Sequence, residues 1–334
     1  MTIKDLSAQT GYSVGTVSRV LNNQPNVSEK AKKAILEAAE ASGFQLNVNA
    51  KQLKQSHSNA VLVVVKGTSN ELFSGMMETI QSCMAETAYQ LMVDYIDENS
   101  NEVLRALQLC RERKPLGIIF LGGNREHFRE SFQRIGVPCV LVTNDASGLG
   151  FDNLSSVSSD DVLAGRTAIE QLVTLGHRQI AVIGGDLLTS DISRLRYQGC
   201  MEAFKEHGIA FDPEQDYESI RYSFEEGYRG AKRLLEKNRK FTALFAVSDV
   251  MAIGAIRALR DAGLRVPEDV SVIGFDGLDM GRYTVPTLSS IRQNGDAMAR
   301  GSVELLLENI KADRQPRHET VPFELNLRES TRKN

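Results

Sequence analysis

Residues Ser13–Leu21 read Ser-Val-Gly-Thr-Val-Ser-Arg-Val-Leu and carry the pattern of a short amphipathic helix. Apolar residues at Val17, Val20 and Leu21 follow the i, i+3, i+4 spacing of one helix face. Ser13 can cap this helix, because its hydroxyl can accept a backbone N–H of the first turn. The opposite face carries small and polar residues, namely Val14, Gly15, Thr16, Ser18, Arg19 and Asn22.

Two further short helices are predicted on either side of this stretch. Thr2 can cap the first, which turns Ile3 and Leu6 inward and ends at Gly11. Ser28 can cap the third. The inward stripe of that helix is Ala31, Ala34, Ile35 and Ala38. Three short helices with a tight turn between the first two form a helix-turn-helix head.

The polar face of the Ser13–Leu21 helix is a candidate DNA-reading surface. Hydroxyl and amide groups suit phosphate oxygens, and Arg19 has the planar fork that reads a guanine edge through two hydrogen bonds. The alternative, a polar helix face that only meets water, stays open at this point.

The same region contains a second motif, since Gly11-Tyr12-Ser13-Val14-Gly15 fits the G-x-S-x-G pattern of a hydrolase nucleophile elbow. That elbow requires a strand before the serine and a helix over a sheet after it. Here Ser13 lies between two short predicted helices. We therefore interpret Ser13 as a helix cap and not as a nucleophile.

Length and composition indicate a globular chain of several domains. The chain has 334 residues, of which 42% are hydrophobic and 25% charged. These ordinary values exclude a disordered tail, a collagen and a coiled-coil rod. The longest apolar run, Ala60–Val65, has the length of a strand and not of a membrane span. No signal peptide is expected, and the four widely spaced cysteines are expected to be reduced thiols.

The charge changes sign along the chain. The first 58 residues carry a net charge of +3 and the remainder a net charge of −7, within an overall charge of −4. A basic head on an acidic body suggests that only the head meets a polyanion such as DNA.

After Ser58 the pattern alternates between apolar strands and amphipathic helices. Predicted strands are 61–65, 91–95, 117–121, 137–142, 179–183, 217–222, 243–247 and 270–275, and predicted helices include 162–175, 226–236, 250–262 and 296–309. Such alternation indicates parallel sheets covered on both faces. About a dozen strands are too many for one simple open sheet, so the predicted fold class is α/β with two lobes. Sites in such folds lie beyond the carboxyl ends of the strands or between lobes.

The sequence carries no signal for catalysis or metal binding. No G-x-G-x-x-G motif follows a predicted strand, no P-loop motif occurs, and the five histidines never pair at metal-ligand spacing. The pairs Gly122-Gly123 and Gly184-Gly185 more often give a tight exit from a strand than a phosphate cradle. We therefore expect no enzyme activity, no metal and no cofactor.

A series of short motifs runs along the whole chain in a fixed order. In the head they are Thr2–Leu6, Gly11–Ser13, Thr16–Asn22 and Val27–Ser28. In the body they are Gly176–Ala181, Ser248–Gly254, Gly263–Asp276, Pro286–Ile291 and Leu327–Thr331. Together they resemble the lactose-repressor/galactose-repressor (LacI/GalR) family of bacterial transcriptional regulators.

The resemblance implies a head, a hinge and a two-lobed body. Residues 1–45 would form the helix-turn-helix head, and residues 46–58 a hinge helix. Residues 59–334 would form a periplasmic-binding-protein-like α/β body with parallel sheets, which binds the effector and dimerises. Its first lobe would span 59–156 and 294–318, and its second 160–288 and 322–330, with three chain crossings between them.

The resemblance also implies DNA contacts. The helix from Ser13 would lie in the major groove of a pseudo-palindromic operator bound by a dimer. Val14 and Gly15 would choose bases and Arg19 would contact them, while Leu53 of the hinge would enter the minor groove as a wedge. The predicted DNA-binding residues are Thr2, Ser13, Val14, Gly15, Thr16, Ser18, Arg19, Asn22, Asn47, Ala50, Lys51 and Leu53.

Two departures from the family concern the hinge. Leu46 stands where proline is usual, and Lys51 where arginine is usual. Lysine lacks the guanidinium fork, so we expect a looser or more salt-sensitive hinge. By composition alone, residues 47–54 are equally consistent with a plain linker.

The implied effector pocket lies in the body. Its residues are Leu72, Phe73, Ser74, Thr143, Arg196, Tyr222, Ser248 and Asp276. They suit a sugar or sugar derivative, since Arg196 and Asp276 offer charged hydrogen bonds to hydroxyls, and Tyr222 or Phe73 offers an apolar face to a ring. In the alternative interpretation, Asp276 caps a turn and Arg196 pairs with an acid.

Two pocket positions depart from the family. Thr143 stands where aspartate is frequent, and Ser248 where asparagine is common. These departures leave the identity of the ligand open.

The implied mechanism is a two-state equilibrium in which one lobe arrangement sets the heads of a homodimer at operator spacing. The effector is an inducer or a corepressor according to the state it prefers. We expect a dimer because no heptad tail precedes the last residue, and we expect the protein in the bacterial cytoplasm, at the nucleoid. Two alternatives remain open: a catabolite-control regulator that binds a phosphorylated carrier protein, and a solute-binding receptor without a DNA function.

Overall fold

The structure, a computed structural model, describes residues 3–21, 27–42, 58–67, 70–237, 240–312 and 315–334. The chain divides into two compact units, residues 1–58 and residues 59–334. Each unit is described by itself.

The described residues of the first unit form three helices. Its helices are α1 (Ile3–Thr10), α2 (Val14–Leu21) and α3 (Glu29–Ala41). The predicted cap of α2 is confirmed, because Ser13 Oγ accepts the Thr16 N–H at 3.2 Å. Ser28 likewise caps α3 by accepting the Ala31 N–H. The head core consists of Leu6, Val17, Val20, Ala31, Ile35 and Ala39. The predicted cap at Thr2 lies outside the described residues.

The second unit contains two lobes, each built on a six-stranded sheet. The strands of lobe 1 are β1 (Ala60–Lys66), β2 (Gln90–Ile96), β3 (Gly117–Leu121), β4 (Cys139–Val142), β5 (Leu154–Ser158) and β11 (His318–Thr320), in the spatial order β11-β5-β4-β3-β1-β2. Its helices are α4 (Glu71–Ala85), α5 (Glu102–Arg113), α6 (Arg125–Ser131) and α12 (Gly295–Lys311).

Lobe 2 repeats this plan. Its strands are β6 (Ile180–Gly184), β7 (Tyr217–Ser219), β8 (Ala243–Ala246), β9 (Ser271–Asp276), β10 (Ser289–Arg292) and β12 (Glu324–Asn326), in the spatial order β12-β10-β9-β8-β6-β7. Its helices are α7 (Asp161–Thr174), α8 (Asp191–Glu206), α9 (Pro213–Asp216), α10 (Phe224–Glu236) and α11 (Asp249–Asp261). The order of the first five strands is the same in both sheets, so β4 and β9 are equivalent.

Alternation along β1 shows how the sheets are covered on both faces. Val61, Val63 and Val65 belong to the apolar cluster shared with α4 and α12. Leu62 and Val64 belong to the cluster on the other face, shared with α5. Successive side chains of a strand point to opposite faces, so a strand buried on both faces reads as a continuous apolar run.

The chain passes between the lobes three times. The crossing segments are residues 159–160, 293–294 and 321–323, which join β5 to α7, β10 to α12 and β11 to β12. The strands at these crossings, β5 and β11 in one sheet and β10 and β12 in the other, lie at one edge of each sheet. The opposite edges, formed by β2 and β7, therefore lie farthest from the crossings.

Two details of the predicted strands are wrong. The strand predicted at 217–222 ends at Ser219, so Tyr222 lies beyond it. The second sheet is not wholly parallel, because β12 pairs with β10 in the antiparallel direction. The strands β5, β10, β11 and β12 were absent from the sequence-based prediction.

Candidate functional site

The outer face of α2 presents the predicted DNA-reading residues. Ser13, Gly15 and Arg19 are exposed, and Val14 keeps 45% of its surface exposed. Thr16 and Ser18 are half-buried. Val17 and Val20 fix the opposite face in the head core, so α2 can present this surface without exposing its apolar side. The predicted DNA contacts at Thr2, Asn22, Asn47, Ala50, Lys51 and Leu53 lie outside the described residues.

Loops at the carboxyl ends of strands from both sheets meet in the second unit, and we call the boundary between them the cleft. Asn124, which follows β3, donates from Nδ2 to the Thr189 carbonyl, which follows β6, at 3.1 Å. The Arg125 N–H donates to Asp191 Oδ2 at 2.7 Å. These contacts join lobe 1 to lobe 2, so polar groups at the strand ends of both lobes border one space.

The lobe 2 side of the cleft, which we call the lobe 2 wall, is formed by Arg196, Tyr222, Ser248 and Asp276. Arg196, on α8, is its central charged group. Its Nε donates to Asp161 Oδ1 at 2.8 Å, and its Nη1 donates to the Val247 carbonyl at 2.6 Å. Asp276 Oδ1 lies 4.0 Å from Nη1. The guanidinium carbon lies 3.5 Å from the centroid of the Phe275 ring, an arrangement that favours a cation.

Asp276 stands at the end of β9, in a backbone conformation that few residues adopt. Its φ is +110°, and the equivalent residue after β4 in lobe 1, Thr143, has a φ of +76°. Ser248 Oγ and Gln293 Nε2 donate to the two carboxylate oxygens of Asp276 at 2.8 and 2.9 Å. Such strain costs about 1–3 kcal/mol for each residue and persists where the surroundings enforce it, often at ligand sites.

Burial raises the pKa values of the acid groups around Arg196. Desolvation raises the pKa of Asp161 and of Asp276, although Arg196 opposes the shift in both. Asp249, at the start of α11, has its pKa raised to about 8 by burial and by the nearby Asp276 charge. The protonated forms of these buried acid groups are therefore favoured more than they would be in water.

Tyr222 lies beside Ser193 and Gly185 on the lobe 2 wall. Its hydroxyl shares a hydrogen bond of 2.6 Å with Ser193 Oγ, which also accepts the Gly185 N–H at 2.8 Å. A Cβ at Gly185 would lie 2.9 Å from the Tyr222 ring and 2.7 Å from Ser193 Oγ. Glycine is therefore required at position 185, where the chain leaves β6 as predicted for Gly184-Gly185 and passes close to Tyr222 and Ser193.

The lobe 1 residues of the predicted pocket are more dispersed. Phe73 is 7% exposed and packs in the lobe core against Gly122, while Leu72 contacts the position of Gly295. Ser74 is exposed on α4. Thr143 donates to Asn144 Oδ1 at 3.3 Å. The structure thus joins Arg196, Ser248 and Asp276 in one network, whereas Tyr222 is hydrogen-bonded to Ser193. No hydrogen bond seen among the described residues links that network to the lobe 1 set.

Sequence reasoning missed several polar residues at the cleft. Glu102 is fully buried and accepts from Lys66 Nζ at 2.5 Å and from the Asn124 N–H at 2.7 Å, while His127 Nδ1 lies 2.9 Å from it. Burial opposes ionisation of Glu102, but these hydrogen bonds prevail and lower its pKa. The cluster fixes the loop that carries Asn124. Its members are far apart in sequence, so no local pattern could have indicated it.

Asp161, Gln293 and Ser159 were missed as well. Asp161 accepts a hydrogen bond from Arg196, and Gln293 donates one to Asp276. Asp161 directly follows one chain crossing, and Gln293 lies in another. Ser159 Oγ is buried without a hydrogen-bond partner in the part of the chain that the structure describes. The serine- and aspartate-rich run at 155–161 was a signal that could have drawn attention to this crossing.

Two kinds of site are not seen within the described ranges. No group of three or more histidine, cysteine, aspartate or glutamate side chains there could hold a metal ion. No helix there has the length and apolar character needed to cross a membrane.

Known protein families match both parts of the chain. Residues 2–47 match a family model described as "Bacterial regulatory proteins, lacI family", and residues 169–331 match a "Periplasmic binding protein-like domain". The chain is 35% identical over 333 residues to the HTH-type transcriptional regulator MalR of Clostridium butyricum, with 99% of each chain covered.

Two solved structures are similar to the whole chain or to its body. A transcriptional regulator CelR–cellobiose complex is 26% identical, with a TM-score of 0.74 and 99% of each chain covered. A LacI family transcriptional regulator from Enterococcus faecium with bound ribose is 25% identical, with a TM-score of 0.71, covering 82% of this chain and 99% of that one.

Proposed function

Since this chain belongs to the lacI family of bacterial regulatory proteins, we propose that it binds operator DNA as a homodimer through α2 and that a sugar held between its lobes changes its affinity for that DNA. Like the other members of its family, the chain is a DNA-binding transcriptional regulator and not an enzyme. The observation that carries the ligand part of the proposal is the network of Arg196, Asp276 and Ser248 at the lobe boundary.

The exposed face of α2 supports direct reading of bases. Arg19 can donate two hydrogen bonds to one guanine, whereas Val14 offers a methyl contact and Gly15 permits close backbone approach. With one strong base-reading residue on this face, part of the sequence preference comes from DNA shape. Asn22 completes the proposed α2 surface. Thr2, which precedes α1, is a proposed DNA contact outside that surface, and Asn47, Ala50, Lys51 and Leu53 are proposed minor-groove or backbone contacts.

The lobe 2 wall supports a ligand rich in hydroxyl groups. Carboxylate oxygens accept and guanidinium groups donate, so Asp276 and Arg196 together can hold a hydroxyl that does both. Tyr222 offers a ring face beside them. Similar solved structures described with bound cellobiose and ribose support a sugar as the class of ligand.

A homodimer is supported by large exposed apolar side chains. Tyr283 and Val285, two residues apart in the segment between β9 and β10, are 82% and 81% exposed. Clusters of exposed apolar side chains often mark interaction sites. We expect the dimer to work at the nucleoid in the bacterial cytoplasm, because its DNA target lies there.

The proposal is tested by selecting bound fragments from genomic DNA with the purified full-length protein at physiological salt. The expected result is enrichment of a short palindrome whose half-sites match a two-fold symmetric dimer. A second selection with a sugar-rich cell extract shows whether a ligand must first recruit the protein. Salt-sensitive binding without an enriched sequence in both selections would contradict the proposal, because it reports phosphate contacts alone.

A further inference from the structure

We propose that Asp161 sets the charge selectivity of the cleft: by pairing with Arg196 it makes the lobe 2 wall accept an uncharged polyol and reject ligands that carry a carboxylate or a phosphate. This inference rests on the proposed function, because it concerns the same ligand site.

Arg196 is the side chain that an anionic ligand would seek first, because a guanidinium group binds carboxylates and phosphates through two parallel hydrogen bonds. Its charge is already matched by protein groups. Asp161 Oδ1 lies 2.8 Å from Nε, and Asp276 Oδ1 lies 4.0 Å from Nη1. The Arg196 side chain is 4% exposed, so water screens these contacts little.

The wall therefore holds two carboxylates against one guanidinium group. The side chains of Asp161 and Asp276 are 3% and 11% exposed. Burial raises the pKa of both carboxyl groups, because it removes water that would solvate their charges, although Arg196 opposes the shift. A further negative charge brought by a ligand would meet like charges in a poorly screened space.

Lys66, at the end of β1, is paired with an acid in the same way, since its Nζ lies 2.5 Å from Glu102. Arg125 differs, because its Nε is buried without a hydrogen-bond partner among the described residues. The exclusion of anionic ligands therefore rests on Asp161 and Asp276 beside Arg196 and does not extend to Arg125.

An uncharged polyol suits the same groups. Each hydroxyl can donate to an oxygen of Asp276 and accept from the Arg196 guanidinium group. Ser159 Oγ, on the crossing segment two residues before Asp161, is 5% exposed and has no hydrogen-bond partner among the described residues. A buried hydroxyl without a partner is unfavourable, and a ligand hydroxyl can satisfy it.

The test compares matched neutral and anionic sugars on the full-length protein by isothermal titration calorimetry. The neutral probes are glucose, galactose, ribose, maltose and cellobiose, and the anionic probes are glucuronate, galacturonate, glucose 6-phosphate and ribose 5-phosphate. We expect the unmodified protein to bind at least one neutral probe at least tenfold more tightly than its anionic counterpart.

Asp161→Asn keeps the shape of the side chain and removes its charge, so the preference for the neutral member of the pair should fall about tenfold. The ratio of affinities is the readout, because a loosened Arg196 would weaken both members of a pair alike. Asp160→Asn is the matched control. Asp160 is exposed and caps α7 with Oδ1, a role that asparagine retains, so its ratio should stay within twofold.

Three results would overturn the inference. One is binding of a uronate or a sugar phosphate by the unmodified protein at least as tightly as the neutral sugar, and another is an equal change of the ratio in the two variants. Binding of none of the neutral probes would also overturn it, together with the sugar part of the proposed function. Enrichment of an operator in the DNA selection is measured independently, so the DNA-binding part stands or fails separately.

Discussion

Asp249 is a buried carboxyl group whose protonation couples stability to pH. Ser290 Oγ and the Leu278 N–H donate to its two oxygens, both at 2.6 Å, and Asp276 lies near enough to raise its pKa. The folded protein holds the proton up to a pH of about 8, whereas the unfolded chain releases it near the ordinary aspartate value. At pH values between the two, the folded state binds the extra proton.

The free energy of unfolding contributed by Asp249 should therefore decline as the pH rises across this interval. The slope for a single group is at most about 1.4 kcal/mol per pH unit. Asp249→Asn resembles the protonated acid, so the variant should lose less stability than the unmodified protein between pH 5 and pH 8. Urea denaturation at several pH values measures both curves, and parallel curves would show that Asp249 does not titrate in this way.

Arg19 tests base reading at a single exposed position. Arg19→Lys keeps the charge but removes the fork, so binding to the selected operator should weaken by about 1–3 kcal/mol, while binding to unrelated DNA should change little. Lys33→Arg, at an exposed position of α3, is the control. Fluorescence anisotropy gives both affinities. Equal losses on operator and unrelated DNA would mean that Arg19 contacts only the backbone.

The family resemblance implied Arg196, Ser248 and Asp276 as pocket residues, and the structure brings these three together. The pairing of Arg196 with Asp161 was not predictable in the same way. These residues are 35 positions apart, and only the packing of α7 on α8 brings them into contact.

At the scale of helices and strands, continuous apolar runs predict strands, whereas serine-rich strands are not recognised from sequence. β1 and β3 were predicted because they are continuous apolar runs, whereas β5 reads Leu-Ser-Ser-Val-Ser and β10 reads Ser-Ser-Ile-Arg. Their hydroxyl groups are satisfied inside the fold. Ser156 Oγ accepts the Ala146 N–H at 3.0 Å, for example. Such partners come from distant loops, so the local sequence does not reveal them.

The contact between α7 and α8 depends on glycine. A Cβ at Gly199 of α8 would lie 1.9 Å from the Val162 carbonyl oxygen and 2.7 Å from the Arg166 nitrogen, both backbone atoms of α7. Backbone cannot yield as a side chain can. We expect Gly199→Ala to lower the free energy of unfolding of the body by about 1–3 kcal/mol, as overpacking does.

Gly75→Ala is the matched control, since Gly75 also lies within a helix but has nothing within 4 Å of a built Cβ. That change should raise stability by about 0.5–1 kcal/mol, because alanine favours helix. Urea denaturation followed by circular dichroism compares the two. Stabilisation by both substitutions would show that α7 and α8 can separate without cost.

At the scale of the whole body, all three chain crossings lie at one edge of the sheets. If the lobes rotate apart about these crossings, the distance between them increases most at the opposite edge. Arg221, after β7, pairs with Asp97 and Glu98, after β2, at that opposite edge. Arg221 is 60% exposed, so its pairs with lobe 1 are worth at most about 1 kcal/mol. Their formation depends on both lobes, which is why sequence patterns within one lobe could not predict them.

Arg221→Ser should weaken sugar binding by up to about fivefold at low salt, and the effect should fade as salt screens the pairs. Arg229→Ser is the control, because Arg229 is similarly exposed but pairs with Glu225 and Glu226 on its own helix. Calorimetry at two salt concentrations measures the effect. Equal losses in both variants would show that the Arg221 pairs do not favour the closed lobes.

The central claim is that occupation of the cleft changes the affinity of the head for operator DNA. The most direct measurement is the dissociation constant of the selected operator with and without a saturating sugar, for the unmodified protein and for Arg196→Lys. We predict a change of at least tenfold in the unmodified protein, and a much smaller one in the variant, since lysine cannot hold Asp161, Asp276 and the ligand together. An operator affinity that no cleft-binding sugar alters, or that changes equally in Arg196→Lys, would contradict the account.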